Sequence, residues 1–293
     1  MLINKIRGAI LLHKELNVDY YQLLIGYFKK DKAITIHIKN LSVTMNIYQA
    51  LLFASTLRNI KKYGWEIADT TNNLLIYKNK QKGIKLYSRI DDNFPYSGVI
   101  EEIFVREVYK SDFVNKVVID AGAYRGESAI YFAMNGAKKV IALEPDEDSY
   151  KLALMNIKEN GLENKVLLLN KALTSNGGVI NFYKYLHSPY MNSTDSNNMS
   201  YADDKMIIKQ VESITLNQII KTAGERIGLL KLDCEGCEYS VLNSFSDFDM
   251  IDNIVLEYHN GIQNLYDLLR DKGYEVKIEK TNEKAGILRA YKK

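Results

Sequence analysis

From residue 116 onward, short apolar runs alternate with longer segments in which apolar residues recur at helical spacing. The short runs are typical of buried strands, and the longer segments are typical of helices that cover a sheet. This alternation predicts an α/β fold in which βαβ units form a doubly wound, mostly parallel sheet with helices on both faces. The predicted strands are residues 117–119, 139–143, 166–169, 179–183, 227–232, 253–256, 274–278 and 287–291. The predicted helices are residues 128–135, 146–160 and 263–271, with a further one that ends near Phe245.

The start of the chain follows a different pattern. Apolar residues recur at mixed helical spacing over residues 5–30 and 45–60, and three short runs resemble strands, at residues 34–38, 74–77 and 83–87. We therefore predict an accessory α+β segment over residues 1–97 and a second domain over residues 98–293. The polar run at residues 91–97 is the predicted hinge.

Composition narrows the class of protein. Of 293 residues, 46% are hydrophobic and 26% are charged, which is typical of a globular protein. The 39 basic and 36 acidic residues give a net charge of +3, too balanced to favour a nucleic-acid partner. There is neither a run of roughly 18 apolar residues nor a signal peptide, so we expect a cytoplasmic protein without a membrane partner. A homodimer is compatible with this composition.

The two cysteines, Cys234 and Cys237, are spaced C-x-x-C. This spacing occurs in redox dithiols and as half of a zinc site. A second cysteine pair is missing from the sequence, and the four histidines lack zinc-finger spacing. The favoured interpretation is two small buried residues that pack a strand-to-helix turn.

A glycine loop follows the first predicted strand of the second domain. Asp120, Gly122 and Gly126 form the pattern D-x-G-x-x-x-G, in which glycines let the backbone approach a ligand closely. Tyr124 stands where dinucleotide-binding loops have their second glycine, so a pyrophosphate would fit poorly. The carboxylate of Asp120 suits a ligand with a positive end, such as an amino group or a sulfonium.

Glu144 ends the next predicted strand, 24 residues after Asp120. That offset is close to the roughly 20 residues at which an acid meets ribose hydroxyls in nucleotide-binding folds. Each signal alone is weak, since an acid at a strand end is usually a solvated charge. Together, and placed in the order strand, loop, helix and strand, the two signals predict a nucleoside site.

A third strand end carries Asp233, Glu235 and Glu238. The strand end directs Asp233 into the crevice where doubly wound sheets bind ligands. Glu235 and Glu238 are three residues apart and share a helical face. An equally open interpretation of Glu238 is that it only stabilises the helix N-terminus.

These motifs resemble the FkbM family of S-adenosylmethionine (SAM)-dependent methyltransferases. The resemblance covers about residues 100–278. It is carried by VIDAGAYRG at 118–126, IALEP at 141–145, ITLN at 214–217, LKLDCEGCE at 230–238, LEYH at 256–259 and GY at 273–274. It implies a seven-stranded class I methyltransferase fold, SAM as cofactor and transfer to a hydroxyl oxygen. The chain departs from the family pattern at Tyr124, Asn217, Cys234 and Cys237.

The resemblance also implies roles for single residues. The loop from Asp120 to Gly126 would hold the methionine part of SAM, and Glu144 would hold the ribose. Asn170, Lys171 and Ala172 would lie near the adenine, and Asp233 would face the reaction centre. The full set of expected cofactor-binding residues is Asp120, Gly122, Ala123, Tyr124, Gly126, Glu144, Asn170, Lys171, Ala172 and Asp233.

An alcohol acceptor benefits from a general base. His259 is the first candidate and Asp233 the second, while Glu257 could orient the imidazole or bind the acceptor. A surface histidine is an equally open interpretation of His259. No dedicated metal-ligand pattern is assigned, although Asp233, Glu235 and Glu257 together could hold a hard cation.

The expected acceptor is a small molecule or a glycan, and the polar residues 187–210 are a candidate lid over it. Two other functions stay open from the sequence. The chain could be a non-catalytic regulator that binds SAM or a nucleoside. A nicotinamide-dependent oxidoreductase would share the fold class, but Tyr124 interrupts its glycine pattern.

Overall fold

The computed structural model describes residues 2–18, 33–90, 97–185, 192–194, 206–262, 264–280 and 284–292. The chain divides into two compact units, Met1–Val108 and Tyr109–Lys293. No helix among the described residues has both the length and the apolar character needed to cross a membrane.

In its described part, the first unit combines two long helices with two small antiparallel sheets. Strands β1 and β2 form a hairpin, and β3, β4 and β5 form a three-stranded meander. An Asn46–Gln49 capping box begins α2 and satisfies backbone N–H groups at its first turn. The elements are α1 (Leu2–Leu16), β1 (Ile34–Ile38), β2 (Leu41–Met45), α2 (Ile47–Lys61), β3 (Trp65–Thr71), β4 (Leu74–Asn79) and β5 (Ile84–Arg89), followed by a short helical segment over residues 98–105.

The second unit is built on a seven-stranded sheet of order β14-β15-β13-β12-β6-β7-β8. The five strands from β13 to β8 are parallel, and β15 runs antiparallel to both of its neighbours. Its strands are β6 (Val117–Ala121), β7 (Lys139–Leu143), β8 (Val166–Leu169), β12 (Ile227–Leu232), β13 (Ile251–Tyr258), β14 (Tyr274–Lys280) and β15 (Gly286–Lys292). A smaller sheet has the order β10-β11-β9 and contains β9 (Ala172–Leu173), β10 (Gly178–Tyr185) and β11 (Met206–Ile214).

Five helices accompany these strands in the described part of the second unit. They are α3 (Glu127–Met134), α4 (Glu147–Glu159), α5 (Leu216–Ala223), α6 (Cys237–Ser244) and α7 (Leu265–Asp271). Strand β6 is buried along its whole length, as expected for a parallel strand covered on both faces. The apolar core packs Ile119 and Leu230 of the sheet against helix residues such as Leu242.

The structure confirms the predicted fold class. Helix α4, Glu147–Glu159, lies within the predicted range 146–160, with Asp146 as N-cap and Asn160 as C-cap. The predictions missed β2, β3, β9 and α5. They also missed the whole of β11, because residues 206–210 were assigned to a polar loop although they pair with β10. Of the candidate lid, only residues 192–194 and 206–210 belong to the described part of the chain. Residues 91–96 of the predicted hinge, and residues 19–32, lie outside the described residues.

Candidate functional site

Four parallel strands carry the candidate residues at one edge of the sheet. Because β7, β6, β12 and β13 are neighbours and run in one direction, their carboxyl ends lie side by side. These ends carry Glu144, Asp120, Asp233 and the pair Glu257 and His259. The strand order therefore brings the acids of the separate sequence motifs to one edge, where doubly wound sheets bind ligands.

The glycine loop after β6 requires glycine at one position for a steric reason. Gly122 has φ +78°, and a Cβ atom there would lie 1.7 Å from the carbonyl oxygen of Asp233. The amides of Gly122 and Ala123 donate to the carbonyl of Leu143, at 3.1 and 2.9 Å. The loop is thus fixed between the ends of β7 and β12.

Glu144 links this loop to the first turn of α4. Its Oε2 accepts from the amide of Tyr124 and its Oε1 from the amide of Asp146, each at 2.8 Å. The side chain is 6% exposed, and burial raises the pKa of Glu144 to about 8. Each carboxylate oxygen accepts one backbone hydrogen bond and keeps a second lone pair for another donor.

The residues expected near an adenine follow β8. Asn170 Nδ2 donates to the carbonyls of Glu144 and Pro145 at 2.8 and 3.1 Å, so Asn170 lies beside the ribose candidate. The ammonium of Lys171 pairs with Glu212 at 2.8 Å, and Ala172 is buried at the start of β9.

Lys231 is a fully buried lysine that sequence reasoning missed. Its Nζ lies 3.2 Å from Asp120 Oδ1 and 3.6 Å from Asp233 Oδ2, and it donates to the carbonyls of Ala121 and Gly122. Desolvation disfavours its charge, but the two carboxylates outweigh that cost and raise the pKa of Lys231. Lys231 therefore holds the tips of β6 and β12 together as an ammonium. A charged residue inside the apolar run IGLLKL was the available signal, because a buried lysine needs a partner.

Asp233 is fixed from two sides. Tyr109 donates its hydroxyl to Asp233 Oδ2 at 2.8 Å, and the amide of Asp233 donates to Ala121. Asp120 accepts from Ser128 Oγ at 2.7 Å. The sequence carries no signal for the contact of Tyr109, which lies 124 residues before its partner.

His259 lies against several carboxylates. Its Nε2 is 3.5 Å from Glu235, 3.9 Å from Glu257 and 4.0 Å from Asp233, and the side chain is 17% exposed. Among the described residues, Nδ1 is buried and has no hydrogen-bond partner. The imidazole can accept a proton in a place where neighbouring carboxylates stabilise the resulting charge.

The same cluster has the composition of a cation site. Asp233, Glu235 and His259 each offer one ligand atom, and these atoms lie within 4.8 Å of one another. The sequence had suggested Glu257 rather than His259 as the third ligand of such a site. The pKa of Glu235 is raised well above its usual range, first by burial and then by the charges of Asp233, Glu238 and Glu257.

The turn from β12 to α6 corrects one expectation. Cys234 and Cys237 form a disulfide, whereas the sequence interpretation favoured two unlinked buried residues. Cys237 is buried but Cys234 is partly exposed. Glu238 is fully buried, and its two oxygens accept from the amides of Cys234 and Gly236, each at 2.9 Å. Glu238 thus stabilises the turn and the start of α6, as one of its two interpretations proposed.

Comparison with known proteins identifies a family. Residues 120–276, more than half of the chain, match the family model described as the methyltransferase FkbM domain. No curated protein matches the sequence.

Solved structures with a similar arrangement include several methyltransferases. TrmK of M. capricolum, in complex with S-adenosyl-homocysteine, is 15% identical with a TM-score of 0.37, over 64% of this chain and 66% of that chain. A precorrin-6y C5,15-methyltransferase from Geobacter metallireducens is 14% identical with a TM-score of 0.41, over 66% and 88%. The aTrm5 complex with tRNALeu is 16% identical with a TM-score of 0.43, over 76% and 53%. At these values the likeness carries no argument about substrate.

Proposed function

The chain belongs to the FkbM methyltransferase family, whose methyl donor is SAM, and on that premise we propose that it methylates a hydroxyl oxygen of a sugar or another small metabolite. The observation that carries the proposal is the arrangement of side chains at one edge of the sheet. There, acids at adjacent strand ends lie on either side of a glycine loop and close to a partly buried imidazole. The absence of a nucleic-acid partner, inferred from the net charge, and the cytoplasmic location stay predictions. So does the homodimer.

The charges and the hydrogen-bond acceptors at this edge of the sheet fit SAM. Asp120, Asp233 and Glu257 supply three carboxylates, and Lys231 is the one buried ammonium among them in the described part of the site. The excess of negative charge suits the ammonium and sulfonium groups of SAM. The free lone pairs of Glu144 suit the ribose hydroxyls, because a carboxylate accepts hydrogen bonds from both.

The residues proposed to hold SAM follow from the family resemblance together with these contacts. The loop from Asp120 to Gly126, which includes Ala123 and Tyr124, holds the methionine part. Glu144 holds the ribose, and Asn170, Lys171 and Ala172 border the adenine. Asp233 lies on the side of the reaction centre. No metal is assigned a role in this proposal.

The chain's own contribution to the reaction is alignment and proton removal. SAM supplies an electrophilic methyl group together with its leaving group, so the protein has to hold the acceptor oxygen in line with that methyl. His259 Nε2 takes the proton of the acceptor hydroxyl. Asp233 and Glu257, at 4.0 and 3.9 Å from Nε2, stabilise the imidazolium that results.

Glu144→Ala tests the cofactor site. The titration is run at pH 9, above the pKa of about 8 that burial gives Glu144, so that the side chain is a carboxylate. A hydrogen bond to a charged group contributes about 1.5–3 kcal/mol, so the dissociation constant for SAM is expected to rise roughly ten- to a hundredfold in titration calorimetry. Glu147→Ala is the matched control, because Glu147 is an exposed acid in the first turn of the same helix and pairs with Lys151. Equal affinities in the wild type and both variants would remove Glu144 from the site.

His259→Ala tests the base. General-base catalysis contributes roughly 10²–10⁴-fold, so transfer of labelled methyl to an acceptor panel is expected to fall by that factor while SAM affinity is kept. His37→Ala, an exposed histidine that contacts Ser42 in the first unit, is the control. Full transfer by His259→Ala would leave Asp233 as the candidate base.

A non-catalytic SAM-binding regulator is the second candidate function. The specific observation in its favour is that Glu144 and the glycine loop need no base to hold a ligand. SAM binding in calorimetry without methyl transfer to any hydroxyl acceptor would support the regulator over the enzyme.

A further inference from the structure

The turn between β12 and α6 is closed covalently. The disulfide between Cys234 and Cys237 spans Glu235 and Gly236, which both adopt left-handed backbone conformations, with φ +55° and +114°. A non-glycine residue such as Glu235 rarely holds that conformation unless its surroundings impose it. The disulfide is a local constraint that can impose it.

The same turn holds the proposed catalytic groups in place. Asp233 immediately precedes Cys234, and its carbonyl oxygen occupies the space that a side chain at Gly122 would fill. Ser193 donates to the carbonyl of Glu235 at 2.5 Å. A change in the path of this turn therefore moves Asp233 and Glu235 relative to His259.

The two cysteine residues differ in exposure. Cys234 is partly exposed, whereas Cys237 is 2% exposed and is the first residue of α6. An attacking thiolate can reach Cys234, and Cys237 leaves as a thiolate beside the positive end of the helix. The reduced state also has a partner ready, since Glu238 Oε1 lies 3.4 Å from Cys234 Sγ and can accept from a thiol there.

We propose that Cys234 and Cys237 form a dithiol–disulfide redox site whose state sets the position of Asp233 and Glu235 for methyl transfer. In the reduction, a small dithiol attacks Cys234 Sγ and the bond to Cys237 Sγ breaks. The second thiol of the reductant then displaces Cys234. The reductant becomes a cyclic disulfide, and two electrons and two protons reside on the two cysteines. A disulfide of the glutathione class reverses the step.

Thiol content is the first measurement. The full chain is equilibrated with dithiothreitol or with oxidised glutathione, alkylated under denaturing conditions and weighed by mass spectrometry. Because the chain has 2 cysteines, the mass reports on this pair alone. We expect two alkyl groups after reduction and none after oxidation. Full alkylation after treatment with oxidised glutathione would overturn the proposal.

Hydrogen exchange is the second measurement, and it needs no acceptor. The amides of Cys234 and Gly236 donate to Glu238, so their exchange is expected to accelerate when the disulfide is reduced. Cys234→Ala, which cannot form the bond, is expected to exchange like the reduced wild type in both buffers. Identical exchange of residues 233–238 in the oxidised and reduced wild type would overturn the proposal.

The effect on transfer rests on the proposed function and is measured last. Misplacement of a catalytic group costs up to about 10²-fold, so we expect reduction to slow methyl transfer by about tenfold or more while SAM affinity is kept. Cys234→Ser/Cys237→Ser should give the slow rate in both buffers. Equal rates in the two verified redox states would overturn control of transfer. Redox-dependent exchange without methyl transfer in either state would instead overturn the enzyme and leave the redox site standing.

Discussion

Glu144 and Glu127 are carboxylates that have almost no contact with water, and burial raises the pKa of each, to about 8 for Glu144 and about 7 for Glu127. Lys231 is equally buried but keeps its charge, because Asp120 and Asp233 lie within ion-pair distance. Burial therefore favours the neutral form of the first two side chains and the charged form of the third. The difference is whether opposite charges outweigh the cost of burial: Arg125 offsets only part of that cost for Glu127, whereas Asp120 and Asp233 together exceed it for Lys231.

The variant Glu144→Gln tests whether burial favours the neutral form of Glu144, because that preference makes the stability of the wild type depend on pH. The folded-state pKa of Glu144, about 8, lies above its ordinary value of 4.5, so its stabilising contribution is full below pH 4.5 and is lost as the pH rises through 8. The wild type should lose free energy of unfolding relative to Glu144→Gln between pH 5 and pH 8, at up to about 1.4 kcal/mol per pH unit. Urea unfolding at several pH values provides the measurement.

Glu147→Gln is the control for that titration. Glu147 is exposed, and Lys151 lowers its pKa, so its contribution changes at pH values below 4.5. Its stability difference from the wild type should be flat from pH 5 to pH 8. A difference for Glu144→Gln that is equally flat would show that Glu144 is ionised throughout this range.

At the level of elements, the ends of β6 and β12 lie so close together that a side chain at position 122 has no room. The carbonyl of Asp233 occupies the Cβ position of Gly122, and Lys231 bridges the two strand tips. Gly126 begins α3 at φ +88°, with Ala153 of α4 at 3.3 Å from its Cβ position. The glycine loop thus serves the packing of its own elements as well as the proposed ligand.

A comparison of Gly122→Ala with Gly161→Ala separates the cost of a steric clash from the cost of backbone strain. Gly161 also has positive φ, +65°, but its Cβ position has nothing within 4 Å. Gly161→Ala should cost about 1–2 kcal/mol of stability from left-handed strain alone. Gly122→Ala should cost more than about 4 kcal/mol, because the backbone of Asp233 has to move as well. Urea unfolding of both variants measures the difference, and equal losses would contradict the close approach.

At the level of the whole molecule, the proposed site residues lie in one of the two compact units. All the residues proposed for cofactor binding and catalysis lie in the unit Tyr109–Lys293, and the family match falls inside it. Tyr109, which supports Asp233, is its first residue. The predicted boundary between residues 97 and 98 stays a prediction, and we propose that the first unit contributes to the choice of acceptor.

A fragment of residues 109–293 tests that division. Because it keeps every proposed SAM contact, its dissociation constant for SAM should equal that of the full chain in calorimetry, while transfer to the acceptor of the full chain should fall. A fragment of residues 98–293 is the comparison for the predicted boundary. A folded fragment that fails to bind SAM would place part of the cofactor site in the first unit.

The sequence by itself determined the fold class and the position of the candidate acids at strand ends. The spacing of hydrophobic residues and the positions of glycines are local properties of the sequence. They were therefore enough to predict Asp120, Gly122 and Glu144 as candidate residues and the strands and loop on which they lie. Only the tertiary structure decided the partners of Lys231, the support of Asp233 by Tyr109 and the contact of Ser193 with Glu235. These contacts join residues 42 to 124 positions apart, which no local period encodes. The disulfide is short in sequence, but whether two nearby cysteines are bonded depends on the conformation of the turn, and that is decided by the packing around it.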